Sequence, residues 1–263
     1  MVRKHIYRSL LAVSLLSAAG VSTAASQVLH VNDHWEECAI VIDPSLTQEA
    51  WHQFVGEVGV VMYFRPMSSA RPLGRGNIEF SLVNSGTRID DGDAAWNDTF
   101  SHPDSTHWLF EGDALKIPGL IFRMGVTDRI DAGIYFTKNP RSNYGFIGGQ
   151  VQYGLLTEAT APVSAAGRVN VVRLFGPDDL TATVYGADLV VSKDVSFLSP
   201  YAGVSGYLSR GHERTSKVSL KDESVLGVQG VLGLSARISV VSLGAEINVA
   251  KVTGYSLKIG FAP

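Results

Sequence analysis

Tyr255, Leu257, Ile259 and Phe261 occupy every second position of the C-terminal stretch 254–261, with Gly254, Ser256, Lys258 and Gly260 between them. A period of two places the apolar set on one face of an extended strand and the other set on its back. The apolar face begins and ends on an aromatic ring, as in a strand whose outer face meets lipid and whose ends reach the two membrane interfaces. The stretch predicts the closing strand of a transmembrane β-barrel.

Strands are the only means this chain has of crossing a bilayer. Only 18% of its 263 residues are charged, yet beyond residue 25 no run approaches the roughly 20 apolar residues a membrane-spanning helix requires. Residues 1–25 read as a secretory signal: Arg3, Lys4 and Arg8 precede an apolar run at 10–21, and Ser22, Thr23, Ala24 and Ala25 offer small residues for cleavage. Cys38 is the only cysteine, so the exported chain has no internal disulfide and Cys38 reads as a small buried or loop residue. A net charge of −3 without basic clusters excludes nucleic acid as a partner.

Residues 26–56 form an N-terminal segment of different character. Ser45 to Gln48 resembles a capping box, and Leu46, Ala50, Trp51 and Phe54 recur at helical spacing, which predicts a short helix over 46–55, lying at the barrel mouth or plugging it. A short strand is expected at 39–42. From residue 57 to the C-terminus the chain reads as barrel. Val58, Val60, Met62 and Phe64 alternate first, then Ile78, Phe80 and Leu82. A polar stretch at 84–113 follows, and after it a hairpin of strands 117–126 and 130–138 about the turn Thr127, Asp128, Arg129. The pattern repeats to the end. The fold expected is therefore all-β, a single antiparallel barrel of 10–12 strands with a short N-terminal helical segment. The number is 10 if 57–65 lies outside the wall and 12 if 39–42 joins it. With the last strand running toward the periplasm, the turns at 127–129, 193–195 and 235–237 fall there, and the long loops at 86–112 and 210–223 fall outside.

The inward faces collect Glu79, Arg123, Asp131, Arg168, Asp188, Glu246 and Lys258, together with Gln150, Gln152, Asn170 and Gln229. These are the candidate lumen-lining residues. Adjacent strands should bring Arg123 beside Asp131 and Glu246 beside Lys258, and such near-balanced charge favours a largely filled lumen over a wide channel. Two functions stay open: a narrow pore or passive path for small solutes, and a closed barrel whose exterior loops bind a partner. Catalysis is not expected. His212 and Glu213 near Ser209 and Ser216 have no second element to fix a hydrolytic geometry, and His102, Asp104 and His107 read as loop residues rather than metal ligands. No cofactor is implied.

The whole mature chain resembles the proteobacterial outer-membrane β-barrel proteins of unassigned function. The signal peptide carries the resemblance, with the run from Gly125 to Gly133, the stretch Pro200, Tyr201, Ala202, Gly203, Val204, and the terminal Tyr255, Leu257, Ile259, Phe261. It implies residence in the cell outer membrane, surrounded by outer-membrane lipid, and recognition of the terminal residues as an assembly signal by the barrel-assembly machinery. That signal usually ends on the aromatic, whereas Ala262 and Pro263 follow Phe261 here.

Overall fold

The computed structural model describes residues 35–90, 92–102 and 114–263; the signal peptide expected at 1–25 lies outside them. The elements are β1 (Ala39–Ile40), α1 (Gln48–Val61), β2 (Ile78–Arg88), α2 (Ala94–Asn97), β3 (Phe100–Ser101), β4 (Ala114–Gly125), β5 (Ile130–Lys138), β6 (Gly145–Leu156), β7 (Ser164–Phe175), β8 (Leu180–Ser192), β9 (Leu198–Glu213), β10 (Glu223–Ile238), β11 (Val241–Val249) and β12 (Thr253–Phe261). Ten of these strands close into one barrel in the order β2, β4 and then β5 through β12, each antiparallel to its neighbours, and β12 pairs back onto β2. The edge that the sequence leaves open beside 254–261 is filled by β2: Phe261 pairs with Phe80 and Tyr255 with Gly86.

Alternation sets the two faces. On β12 the even residues are buried or nearly so, while Leu257, Ile259 and Phe261 are more than half exposed. The same pattern gives β2, β4 and β6 outward rows of Ile, Phe, Leu and Val. Ten strands closed on one another under an apolar coat pair their backbones around the ring, with strand ends such as 223–229 of β10 extending past a neighbour, and closure of this kind is the condition for a strand-built membrane span. No helix among the described residues is long and apolar enough to cross. The wall is that of a transmembrane β-barrel of the outer-membrane type.

Three expectations are corrected. Residues 57–65 are not a wall strand, because α1 continues to Val61 and an extended segment follows to β2. A segment inside a closed barrel finds the wall's backbone groups already paired, so it must satisfy its own, and a helix does so even through β-branched valines. The helix begins at Gln48 instead of 46, since Thr47 is the N-cap and accepts from the Ala50 amide at 3.2 Å. The last periplasmic turn is Ser239–Val240, with Ser239 at φ 54, because β10 runs on through Ile238 past the turn expected at 235–237.

The connections 126–129, 193–197 and 239–240 lie on one rim, and the connection 89–113 lies on the other, which is the outer rim by the usual disposition of loop length. Within it, α2 and β3 form part of a cap with the N-terminal segment. Ala39 and Ile40 pair with Ser101 and Phe100, and the Ile40 and Ile42 amides donate to Asn143 Oδ1 and Asp179 Oδ2, each at 2.9 Å. Residues 35–47 therefore sit at the outer rim.

Candidate functional site: the occupied lumen

From that rim the chain descends through its own barrel. Trp51 Nε1 donates to the Lys221 carbonyl at 3.2 Å at the top. Further down, Lys258 Nζ donates to the Pro66 carbonyl at 3.1 Å, and Arg168 donates to the carbonyls of Ser68 (2.8 Å) and Ser69 (3.0 Å). The Ala70 amide donates to Ser192 Oγ at 3.0 Å, and the Leu73 amide reaches both Asp131 oxygens at 3.0 Å. At the bottom the Gly76 amide donates to Gly125 O at 2.8 Å. A Cβ on Gly125 would lie 1.9 Å from Gly74 O, so only glycine admits this crossing.

The upper lumen is apolar. Trp51, Phe54, Val55, Val58 and Val61 of α1 are buried with Leu115, Ile117, Val172, Leu174, Leu180 and Val184 of the wall. Phe54 stacks on Trp51 at 5.7 Å and meets Trp96 edge-on at 5.0 Å. Glu57, buried in this layer, accepts from Trp96 Nε1 at 2.6 Å and from Gln53 at 3.0 Å. A Cβ on Gly59 would fall 2.2 Å from the Tyr207 ring, which shows how closely the helix approaches β9.

The lower lumen is a network of charge. Glu79 accepts from Lys258 Nζ at 2.7 Å, Ser242 Oγ at 2.6 Å and Arg123 at 3.2 Å, while Arg123 also donates to Asp131 at 3.1 Å. Gln152 joins Arg168 (2.8 Å) to Asp131 (3.3 Å). Arg123 and Asp131 thus meet directly. Glu246 and Lys258 do not: the register pairs Glu246 with Ser256 and Lys258 with Gly244, so Lys258 turns to Glu79 while Glu246 accepts from Tyr201 at 2.8 Å. Below the network a cavity of about 370 Å³ opens toward the periplasmic rim, lined by Ser68, Ser199, Ser235, Ser242, Arg237 and Lys258 among others.

Between the two halves lies a belt of buried amides and hydroxyls. Gln150, Asn170, Ser205, Gln229 and Asn248 face inward on β6, β7, β9, β10 and β11, and Gln150 and Gln229 have side-chain N or O atoms with no partner among the described residues. Asp188 on β8 accepts from the Tyr63 hydroxyl. Arg65 donates to the Val60 carbonyl, but its Nε and Nη1 have no partner among the described residues. The alternation places all of these side chains inward, but it carries no signal for the segment that meets them, so Tyr63 and Arg65 are missed.

The hydrolytic grouping does not assemble. His212 faces outward on β9 and bonds Asp222, while Ser209 faces the lumen and is fully buried. His102 lies 3.1 Å from the buried Cys38 Sγ, and Asp104 and His107 fall outside the described residues. At the outer rim burial pushes the Tyr144 phenol well up, and in the periplasmic loop 157–163 the Lys193 ammonium holds Glu158 below the usual carboxylate range.

No family model matches this chain, and no curated protein does. Among solved structures it is similar to an outer membrane channel from Pseudomonas putida F1, at 11% identity over 76% of this chain and 100% of that one, TM-score 0.46. The translocator domain of autotransporter NalP from Neisseria meningitidis matches at 11% identity over 81% and 94%, TM-score 0.37. The Omp33 outer membrane protein of Acinetobacter baumannii matches at 9% over 70% and 98%, TM-score 0.29.

Proposed function

We propose that this protein is a closed outer-membrane barrel that holds residues 48–77 in its lumen and presents a folded cap at the cell surface to a partner. The observation that carries this reading is the continuous descent of that segment from rim to rim, with polar contacts to β4, β5, β6, β7, β8 and β12. The cap has the parts of a stable platform: Lys217 bonds Asp179 at 2.9 Å and the Ile42 carbonyl at 3.2 Å, and Asn143 clasps both polar groups of Ile40. Purified protein in a planar bilayer should give no discrete current steps. Steps from the intact chain at rest would overturn this reading.

A second reading, a gated narrow path for small solutes, is favoured by the unpartnered mid-lumen amides of Gln150 and Gln229, which a purely structural barrel does not need. In that case, loosening the inner segment through Glu79→Gln should produce small, regular steps absent from the parent protein. A variant that stays silent while its lower network is broken leaves the closed barrel as the function.

A further inference from the structure

The outward face of the wall carries charge of one sign and at one end. Of the acids on the ten wall strands, Glu79, Asp131, Asp188 and Glu246 are buried in the lumen. Glu223 bonds Gln48 and His52 of α1, and Glu213 ends β9 on an inward position. The cations divide differently. Arg88, Lys116, Lys138, Arg173 and Arg210 take outward positions on β2, β4, β5, β7 and β9, all at the outer-rim ends of their strands. An apolar coat ringed at its outer end by cations, with no outward acid on the strands to neutralise them, is complementary to anionic headgroups.

Two of these cations are placed to act together. Arg173 pairs with Thr183 across β7 and β8, and Thr183 with Arg210 across β8 and β9. The arginines therefore flank one hydroxyl on a single rung, with their Cα atoms about 10 Å apart. On the apolar side of that rung Val171, Tyr185 and Leu208 stand in line, and the Arg210 guanidinium lies 5.7 Å from the centre of the Tyr185 ring. An outward tyrosine at the top of an apolar row marks the membrane interface, and its ring face holds the cation at that height. No carboxylate among the described residues forms an ion pair with Arg173 or Arg210. Above them Asp222 is held by His212 and Asp179 by Lys217, and Asp178 is exposed in the loop between β7 and β8. The other cations are engaged or scattered. Lys138 donates to the carbonyls of Ser142 (2.8 Å) and Tyr144 (3.4 Å), Lys251 turns inward to Glu57 at 3.5 Å, and Arg88 and Lys116 sit on different rungs.

We propose that Arg173, Thr183 and Arg210 bind the phosphate group of an outer-leaflet lipid whose chains lie along the apolar rows beneath. Guanidinium forks match phosphate oxygens in bidentate geometry, and two of them on either side of a hydroxyl offer the group donors from three directions. Position commits the site to a lipid over free phosphate. Its rung is the first above the apolar rows, where headgroup and chains are held together.

The test uses the full-length protein in neutral maltoside micelles, titrated with lipid A bearing both phosphates or with the same lipid stripped of them, and read by native mass spectrometry. The first lipid bound should show a preference for the phosphorylated form on the order of twentyfold, roughly fivefold from each arginine. Arg173→Gln and Arg210→Gln should each lower that preference roughly fivefold, and the double variant should abolish it. Arg75→Gln removes the same charge from an exposed position at the periplasmic rim and should change nothing. Excess inorganic phosphate should leave the lipid bound. Both arginines are exposed, and heat-modified mobility on gels shows that each variant is still a folded barrel. Equal retention of the two lipids by the parent protein, or displacement by inorganic phosphate, would overturn the proposal. So would an equal loss in the Arg88→Gln, Lys116→Gln double variant, which would mean a diffuse ring of charge in place of a site.

Discussion

The two halves of the lumen solve one problem in opposite ways. In the upper half the inner segment is a helix, so its backbone is satisfied internally and the wall need offer only apolar surface: Leu115, Ile117, Val172, Val184. In the lower half the segment is extended, with carbonyls and amides that no strand pairs, and the wall supplies Lys258, Arg168, Gln152, Ser192 and Asp131 to meet them. Wall chemistry follows the inner backbone. A helix asks for shape, which many apolar side chains can provide, and an extended chain asks for donors and acceptors at fixed points, which few can.

That contrast breaks most readily at Glu79. Glu79→Gln keeps the size but leaves Lys258 and Arg123 without their shared anion, and removing one partner of a buried ion pair costs about 3–5 kcal/mol. The midpoint of urea unfolding in detergent should fall accordingly; a change under about 1 kcal/mol would mean the lower network is solvated rather than structural. In the upper half, Phe54→Leu keeps an apolar side chain and gives up the ring contacts with Trp51 and Trp96, so the same assay should report about 1–2 kcal/mol. A loss as large as that at Glu79 would erase the distinction between the halves. Thr47→Ala sharpens it: removing the N-cap should cost about 1 kcal/mol and speed amide exchange in the first turn of α1, with the lower half unchanged.

The smallest effect lies at the periplasmic rim. Glu158 accepts from Lys193 at 2.7 Å and from the Asp194 amide at 2.6 Å. Its carboxyl is held below its ordinary value, so the stabilisation is present above that value and is lost as pH falls through the carboxylate range. Exchange of the Asp194 amide should accelerate on acidification, and Glu158→Gln should flatten that dependence.

The wall was legible because alternation is enforced from both sides, by lipid outside and by filling inside. Strands β4 and β5 and the turn at Thr127 to Arg129 follow from it directly. The lumen was less legible. Val58, Val60, Met62 and Phe64 alternate as in a strand, yet Val58 and Val60 belong to a helix, since every residue of a segment surrounded by protein is buried and apolar periodicity loses its meaning. Glu246 and Lys258 look like cross-strand partners, but the register sets them two residues apart, and Lys258 is drawn to Glu79 on β2, the adjacent strand in the closed wall but the one farthest away along the chain. Ser256, polar and inward, suggests tolerance of a long side chain there; it is 1% exposed and bonds Ser85 at 3.0 Å, so Ser256→Arg should disturb the barrel as Leu257→Arg does from the lipid side.

The inner segment enters from the outer rim and runs straight into β2, which completes the wall against β12. A cylinder sealed beforehand would have to be threaded by its own leading end, cap included. Closure at the β2–β12 seam, which joins the two ends of the wall, around residues 48–77 already in place avoids that threading, and would make sealing the barrel and bringing residues 35–47 to the opposite rim a single event.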